Sequence, residues 1–310
     1  MHRIPSAGRA LGLALCALFA GCATDGSTAE PVTDEETFEA LGPSTRSDDA
    51  IGKYLTDLST SMNAWMQKTM NAATEQERNK QSLLEINIRE RVRNRKDEIL
   101  VQLEAGPAKN RIIAAAALGF SDDPSVLSPL LAALDDRNPK VVSNALLGLT
   151  VLNSPETPLA PVAELLKYGE DPKTRWSAAN CARSLIEAGA DGDPVLEAAR
   201  GGLADVEEPM VRSQCALILA RLEDEESIDA LTLLLYDETP LVSVTAGRSL
   251  AYIGRRVDTA KGDAARSLVT ALTEGDRELR LRIHPSLVEL SRRDYELDIE
   301  EWTRWVSRLP

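Results

Sequence analysis

Histidine is almost missing from this 310-residue chain, which holds only His2 and His284. Cysteine stands at four, and aromatic residues make up 4%. The sequence contains no His-x-x-x-His, no Cys-x-x-Cys, no glycine-rich phosphate loop and no nucleophile elbow. With no such constellation, no catalytic residue, metal ion or cofactor is expected. Positive charge is also in deficit, with 35 Lys and Arg against 49 Asp and Glu, a formal net charge of −14. That balance argues against nucleic acid as a partner, and against a basic face that binds anionic lipid. Long hydrophobic runs are missing too. The one compact apolar stretch, Ala10–Ala20, is too short to span a bilayer.

That stretch follows Arg3 and Arg9, which makes residues 1–21 a secretory signal peptide. Its end, Leu18-Phe19-Ala20-Gly21-Cys22, resembles the lipobox of bacterial lipoproteins. The resemblance implies lipid on Cys22 and a bacterial cell-envelope location, with the membrane reached through that lipid alone. Several acyl chains on one residue are enough for stable anchoring. Ala23 in place of Asp implies sorting to the outer membrane, facing the periplasm. Residues 22–50 read as an acidic, disordered tether: eight acids stand against the single base Arg46, with too little apolar area to fold.

What the chain does have is a repeat. Pro139, Pro172, Pro209 and Pro240 each open a segment with apolar or small residues at fixed offsets. Six residues past the proline stand Ala145, Ala178, Cys215 and Ala246; ten past stand Leu149, Ala182, Leu219 and Leu250. These offsets lie on one face of a 3.6-residue helix, and a small residue at one fixed place implies close helix approach. Proline at the first helical position presets φ and loses no needed hydrogen bond. Apolar segments at Val126–Leu134, Leu159–Tyr168, Val195–Leu203 and Ile228–Tyr236 precede these helices, so the unit is helix, acidic turn, helix. The frame extends back to Ala108 and forward to Arg277, at intervals of 31, 33, 37, 31 and 37 residues. A unit this short cannot bury its own apolar face and must stack on its neighbours.

Asp171-Pro172-Lys173-Thr174-Arg175 with Ala178, Ala179 and Ala182 resembles the consensus of bacterial HEAT-like repeats of the HEAT and PBS-lyase type, and Glu208-Pro209-Met210-Val211-Arg212 is similar. The resemblance implies an all-α, right-handed solenoid of about six helix pairs over residues 97–292. Residues 51–96 would then be N-terminal capping helices and 293–310 a C-terminal capping helix. Two copies depart from the motif, with Val142 and Ser243 in place of its Arg. In such folds the Arg pairs with a turn acid, here Asp171, Asp205 or Glu208.

Several residues invite a functional reading. Arg175 and Arg212 suit either that structural ladder or direct contact with a partner. Trp176 lies beside the buried stripe, so it either faces the inner surface as an anchor or fills a gap between helices. Arg183 and Arg248 share its polar side. Leu55, Leu58, Met62 and Trp65 form a helical stripe that reads as a packing surface, and His284-Pro285 would interrupt the last repeat helix. Cys181 and Cys215 read as core thiols. The function expected is a non-catalytic, membrane-anchored scaffold that binds a protein or an envelope polymer. Two alternatives stay open: a HEAT-like lyase or small-ligand protein using the groove, and a purely structural envelope component.

Overall fold

The computed structural model describes residues 46–71 and 74–310; the calls on the signal peptide, on Cys22 and on most of the tether lie outside them. Among the described residues there are fifteen α-helices and no strand. Two long helices come first, α1 (Arg46–Asn71) and α2 (Glu75–Asn94). Six pairs follow: α3 (Lys96–Ala105) with α4 (Ala108–Leu118), α5 (Leu127–Ala132) with α6 (Pro139–Leu152), and α7 (Ala160–Tyr168) with α8 (Pro172–Glu187). Then come α9 (Leu196–Gly202) with α10 (Pro209–Arg221), α11 (Ile228–Leu234) with α12 (Pro240–Arg256), and α13 (Lys261–Glu274) with α14 (Arg277–Ser291). Helix α15 (Ile299–Val306) ends the chain. The chain is an all-α solenoid.

The proline turns start their helices as the local chemistry requires. Asn138, Asp171 and Glu208 precede Pro139, Pro172 and Pro209, and each accepts a hydrogen bond from a first-turn N–H. The cap satisfies a donor that the helix cannot, and proline removes another. At the sixth place past the turn, Ala114, Ala145, Ala178, Cys215 and Ala246 are all fully buried. Second helices pack on one another in unbroken succession from α4 to α14, whereas first helices touch their neighbours less. The second-helix layer is therefore the tightly packed, inner one. At α4 and α6 the helices approach so closely that a Cβ on Gly148 would lie 2.3 Å from the Ala115 carbonyl oxygen. Only glycine lets those two backbones meet.

Both ends are closed by aromatic side chains. Trp65 on α1 is buried, edge-on to Phe120 with ring centroids 5.1 Å apart, and its indole N–H donates to Glu85. Leu55, Leu58 and Met62 are buried with it, so that stripe is core. At the other end Trp302 is fully buried, donates to the Glu296 carbonyl at 2.9 Å, and stacks edge-on with Tyr295 and Trp305. Two expectations need correction. Helix α1 begins at Arg46, inside the stretch assigned to the tether, because Ser47 to Ile51 contain no helix stop. Helix α14 runs unbroken through Pro285. Burial of Ile283, Ser286, Leu287 and Leu290 around it outweighs the ~3 kcal/mol that an interior proline costs.

Candidate interaction surface

Arginine does two different jobs in this fold. Arg111, Arg175 and Arg212 each stand three residues into a second helix and reach to the turn of the next pair. Arg111 donates to Asp136 through Nε at 2.8 Å and Nη2 at 3.2 Å, and to the Gly106 carbonyl of its own turn. Arg175 repeats this with Asp205 at 2.7 and 3.4 Å and with the Gly169 carbonyl, adding Glu207. Arg212 repeats it again with Asp237 at 2.8 and 3.0 Å and with the Asp205 carbonyl. Each carboxylate also accepts a backbone N–H two residues on, from Asn138, Glu207 and Thr239. A two-pronged guanidinium–carboxylate bond fixes both distance and angle between neighbouring units. The hydrogen bond from Arg111 holds the Asp136 carboxyl below its usual range, and Asp205 is the main reason the Arg175 guanidinium is held more firmly protonated.

The acceptors differ in part from those the motif suggested. Asp205 does take Arg175, but Arg212 takes Asp237, while Asp171 and Glu208 are helix caps. Asp237 is not marked by the motif because Thr239, not an acid, stands directly before Pro240 in its turn. Arg111 and Asp136 escaped notice because Ala108 replaces the turn proline there.

The inner face is built from positions four and eight past each turn. Trp176 is half-buried and packs against the core; its Nε1 is shielded from solvent and has no hydrogen-bond partner. Arg183, expected on a polar side, is buried: Nε donates to Gln214 at 2.7 Å and Nη1 to Glu187 at 2.8 Å. Arg221 continues that chain to Glu187 and to the Tyr252 hydroxyl, joining α8, α10 and α12. Arg248 is exposed and makes no ion pair or hydrogen bond among the described residues. The five sequence candidates thus fall into three places. Arg175 and Arg212 are at the turns, Trp176 and Arg183 are on α8, and Arg248 is two units away on the same face.

Other groups are accounted for by packing. Cys181 and Cys215 are free and buried; burial pushes the Cys181 thiol up to about 12 and the Cys215 thiol up as well. His284 meets Asp294 at 2.9 Å. No group of three His, Cys, Asp or Glu placed to hold a metal ion occurs among the described residues. None of the described helices is long and apolar enough to cross a membrane. A cleft of about 450 Å³ opens beside the α9–α10 turn, lined by Tyr168, Arg175, Gly201, Asp205 and Val206.

A family model described as HEAT repeats matches residues 97–183, the span from α3 to most of α8. No curated protein sequence matches. Similar solved structures include a designed armadillo repeat protein in complex with the peptide (KR)4, 18% identical, covering 62% of this chain and 98% of that one, with a TM-score of 0.46. Human deoxyhypusine hydroxylase is 18% identical over 80% of this chain and 97% of its own, with a TM-score of 0.36. The CpcE–CpcF complex of phycocyanin lyase from a Nostoc species is 16% identical over 83% and 98%, with a TM-score of 0.37. The fold is a helical-repeat solenoid, and its stretch from residue 97 to residue 183 is similar to HEAT repeats.

Proposed function

We propose that this protein is a non-catalytic scaffold that binds another protein along the inner face of its second helices, held at a bacterial membrane by lipid on Cys22. The observation that carries the reading is the pair Trp176 and Arg248. A shielded indole N–H without an acceptor costs about 1–3 kcal/mol, and a half-buried tryptophan is well suited to anchoring a partner. On the same face Arg248 offers a guanidinium that the solenoid does not use. The stacked helices hold these groups in fixed register, so little ordering cost falls on the scaffold's side when a partner docks. Lipid attachment would add local concentration near the membrane.

The test is photocrosslinking in cells, with a photoreactive residue at Arg248 and, separately, at Leu233 on the exposed side of first helix α11. A discrete protein adduct from position 248 alone supports the reading. Adducts from position 233 alone would place the contact on the outer layer and overturn it. Fractionation of Cys22→Ser tests the anchor: release from the membrane pellet is expected, and retention would remove the lipid from the proposal.

A further inference from the structure

The turn ladder contains one rung that no described residue completes. Each repeat's turn is one of two kinds. In pairs α5/α6, α9/α10 and α11/α12 it carries Asp136, Asp205 or Asp237; in α3/α4, α7/α8 and α13/α14 it carries Gly106, Gly169 or Gly275 as the helix stop. The fourth residue of the preceding second helix, three past its start, follows the turn in all five cases. It is Arg before an Asp turn, as with Arg111, Arg175 and Arg212, and it is Val142 or Ser243 before a Gly turn. Donor and acceptor are present together or missing together. The physical reason is that an arginine at this buried seam without a carboxylate leaves N–H donors unsatisfied.

Arg280 is the fourth residue of α14, three past its start, and among the described residues no further repeat follows that helix. One of its donors, Nη2, goes back to the Thr273 carbonyl at the end of α13 at 3.0 Å, much as the other three reach back to the carbonyls of their own turns. Nε, the atom that elsewhere grips the next unit's aspartate, is buried and has no acceptor. The C-terminal cap does not supply one. Helix α15 packs on α13, and Trp302 meets α14 at His284, a full turn beyond Arg280. Beside Arg280 the side chain of Leu281 is 55% exposed.

We propose that Arg280 and Leu281 form a docking site for an aspartate-led turn of a partner protein, which completes the ladder as a seventh turn would. On docking the guanidinium turns out of its shielded position, the partner's carboxylate takes Arg280 Nε and a terminal guanidinium N–H, and an apolar residue near it covers Leu281. The site lies at the C-terminal end of the repeats, where Leu281 shares the fourth position with Trp176; the titration of Arg280 is read separately from crosslinking at Arg248, so the failure of one reading is distinguishable from the failure of the other. Its occupant is defined by the three internal rungs: a carboxylate within a turn, where the backbone holds it for a two-pronged bond.

The chain supplies its own probe. An acetylated and amidated peptide of residues 236–241, Tyr-Asp-Glu-Thr-Pro-Leu, carries the turn that binds Arg212. It is titrated into the full-length protein while the arginine Nε–H signals are followed by NMR, the Arg280 signal being assigned by its loss in Arg280→Gln. A saturable shift of that signal is expected. Replacing the aspartate of the peptide by asparagine should weaken binding about tenfold, the value of one charge-assisted contact. Arg280→Gln should abolish the response with an unchanged circular dichroism spectrum, and Leu281→Ser should weaken it. No shift of Arg280 at saturating peptide, or equal binding of the asparagine peptide, overturns the proposal. A shift that grows with protein concentration in the absence of peptide also overturns it, since the occupant is then a second copy of this chain.

Discussion

Arg212 and Arg248 lie one repeat apart on equivalent second helices, yet one is structure and the other is surface. Arg212 sits at the seam between α10 and the next turn, with both its side chain and that of Asp237 about nine-tenths shielded, and every prong has an acceptor. Arg248 sits five residues further along its own helix frame and faces solvent with no acceptor among the described residues. Residue type and net charge cannot tell them apart; helical phase can. The third position past the turn points across the seam, and the eighth points off the inner face. Arg183 shows that phase alone is still not enough. At the eleventh position it begins on the inner side but folds back into a buried network with Gln214, Asn180 and Glu187.

Breaking the seam should have the largest effect. Arg212→Ala leaves the Asp237 carboxylate shielded and unpaired, a change that costs about 3–5 kcal/mol when a buried pair loses one member. Urea unfolding measures it, and reaction of Cys215 with a thiol reagent should quicken, because that thiol is unreactive while α10 stays packed. Next comes the layer itself. Gly148→Ala pushes a methyl into the Ala115 carbonyl, and overpacking of this kind costs about 1–3 kcal/mol. If it costs nothing, the tight second-helix layer is not what holds the pairs together.

The inner face gives the finer contrast. Arg183→Ala should destabilise by about 1–3 kcal/mol, since Gln214 and Asn180 lose a buried donor. Arg248→Ala should stay within about 0.5 kcal/mol, as expected for an exposed residue without partners. Equal losses at the two positions would mean that Arg248 has a structural contact and would withdraw it from the binding face. This also decides how binding is probed: replacing Arg183 tests folding, whereas replacing Arg248 tests contact.

The smallest expected effect is on titration. Lys96 hydrogen-bonds Asp123 and holds its carboxyl at about 2, against an ordinary 3.8, with the Ser125 N–H assisting. A value lowered by folding means that the contribution is fully present above about pH 4 and is lost as pH falls through about 2. Lys96→Ala should return the NMR titration midpoint of Asp123 towards 3.8. An unchanged midpoint would assign the shift to the backbone donor instead.

Much of the fold was legible in the sequence because stacking imposes it on every copy. The turn prolines, the small residue six places on and the apolar segment before each turn recur in phase, and the helices lie within a few residues of where that phase puts them. The candidate site was less legible. Trp176 was readable as lying beside the buried stripe, but whether its N–H finds an acceptor depends on the neighbouring helix. The acceptors of Arg111 and Arg212, Asp136 and Asp237, carry no sequence mark, since Asn138 and Thr239 rather than an acid stand directly before the prolines of their turns. The vacancy at Arg280 can be seen only once the other rungs are known.

The sequence by itself determined the repeat, the number of units and the order of helices, since local propensity and 3.6-residue periodicity act within a single segment. The tertiary structure alone decided which arginines are spent and which are offered. Burial and hydrogen-bond partners come from residues a whole repeat away, and a charge that is paired at a seam differs from one in water only through those neighbours.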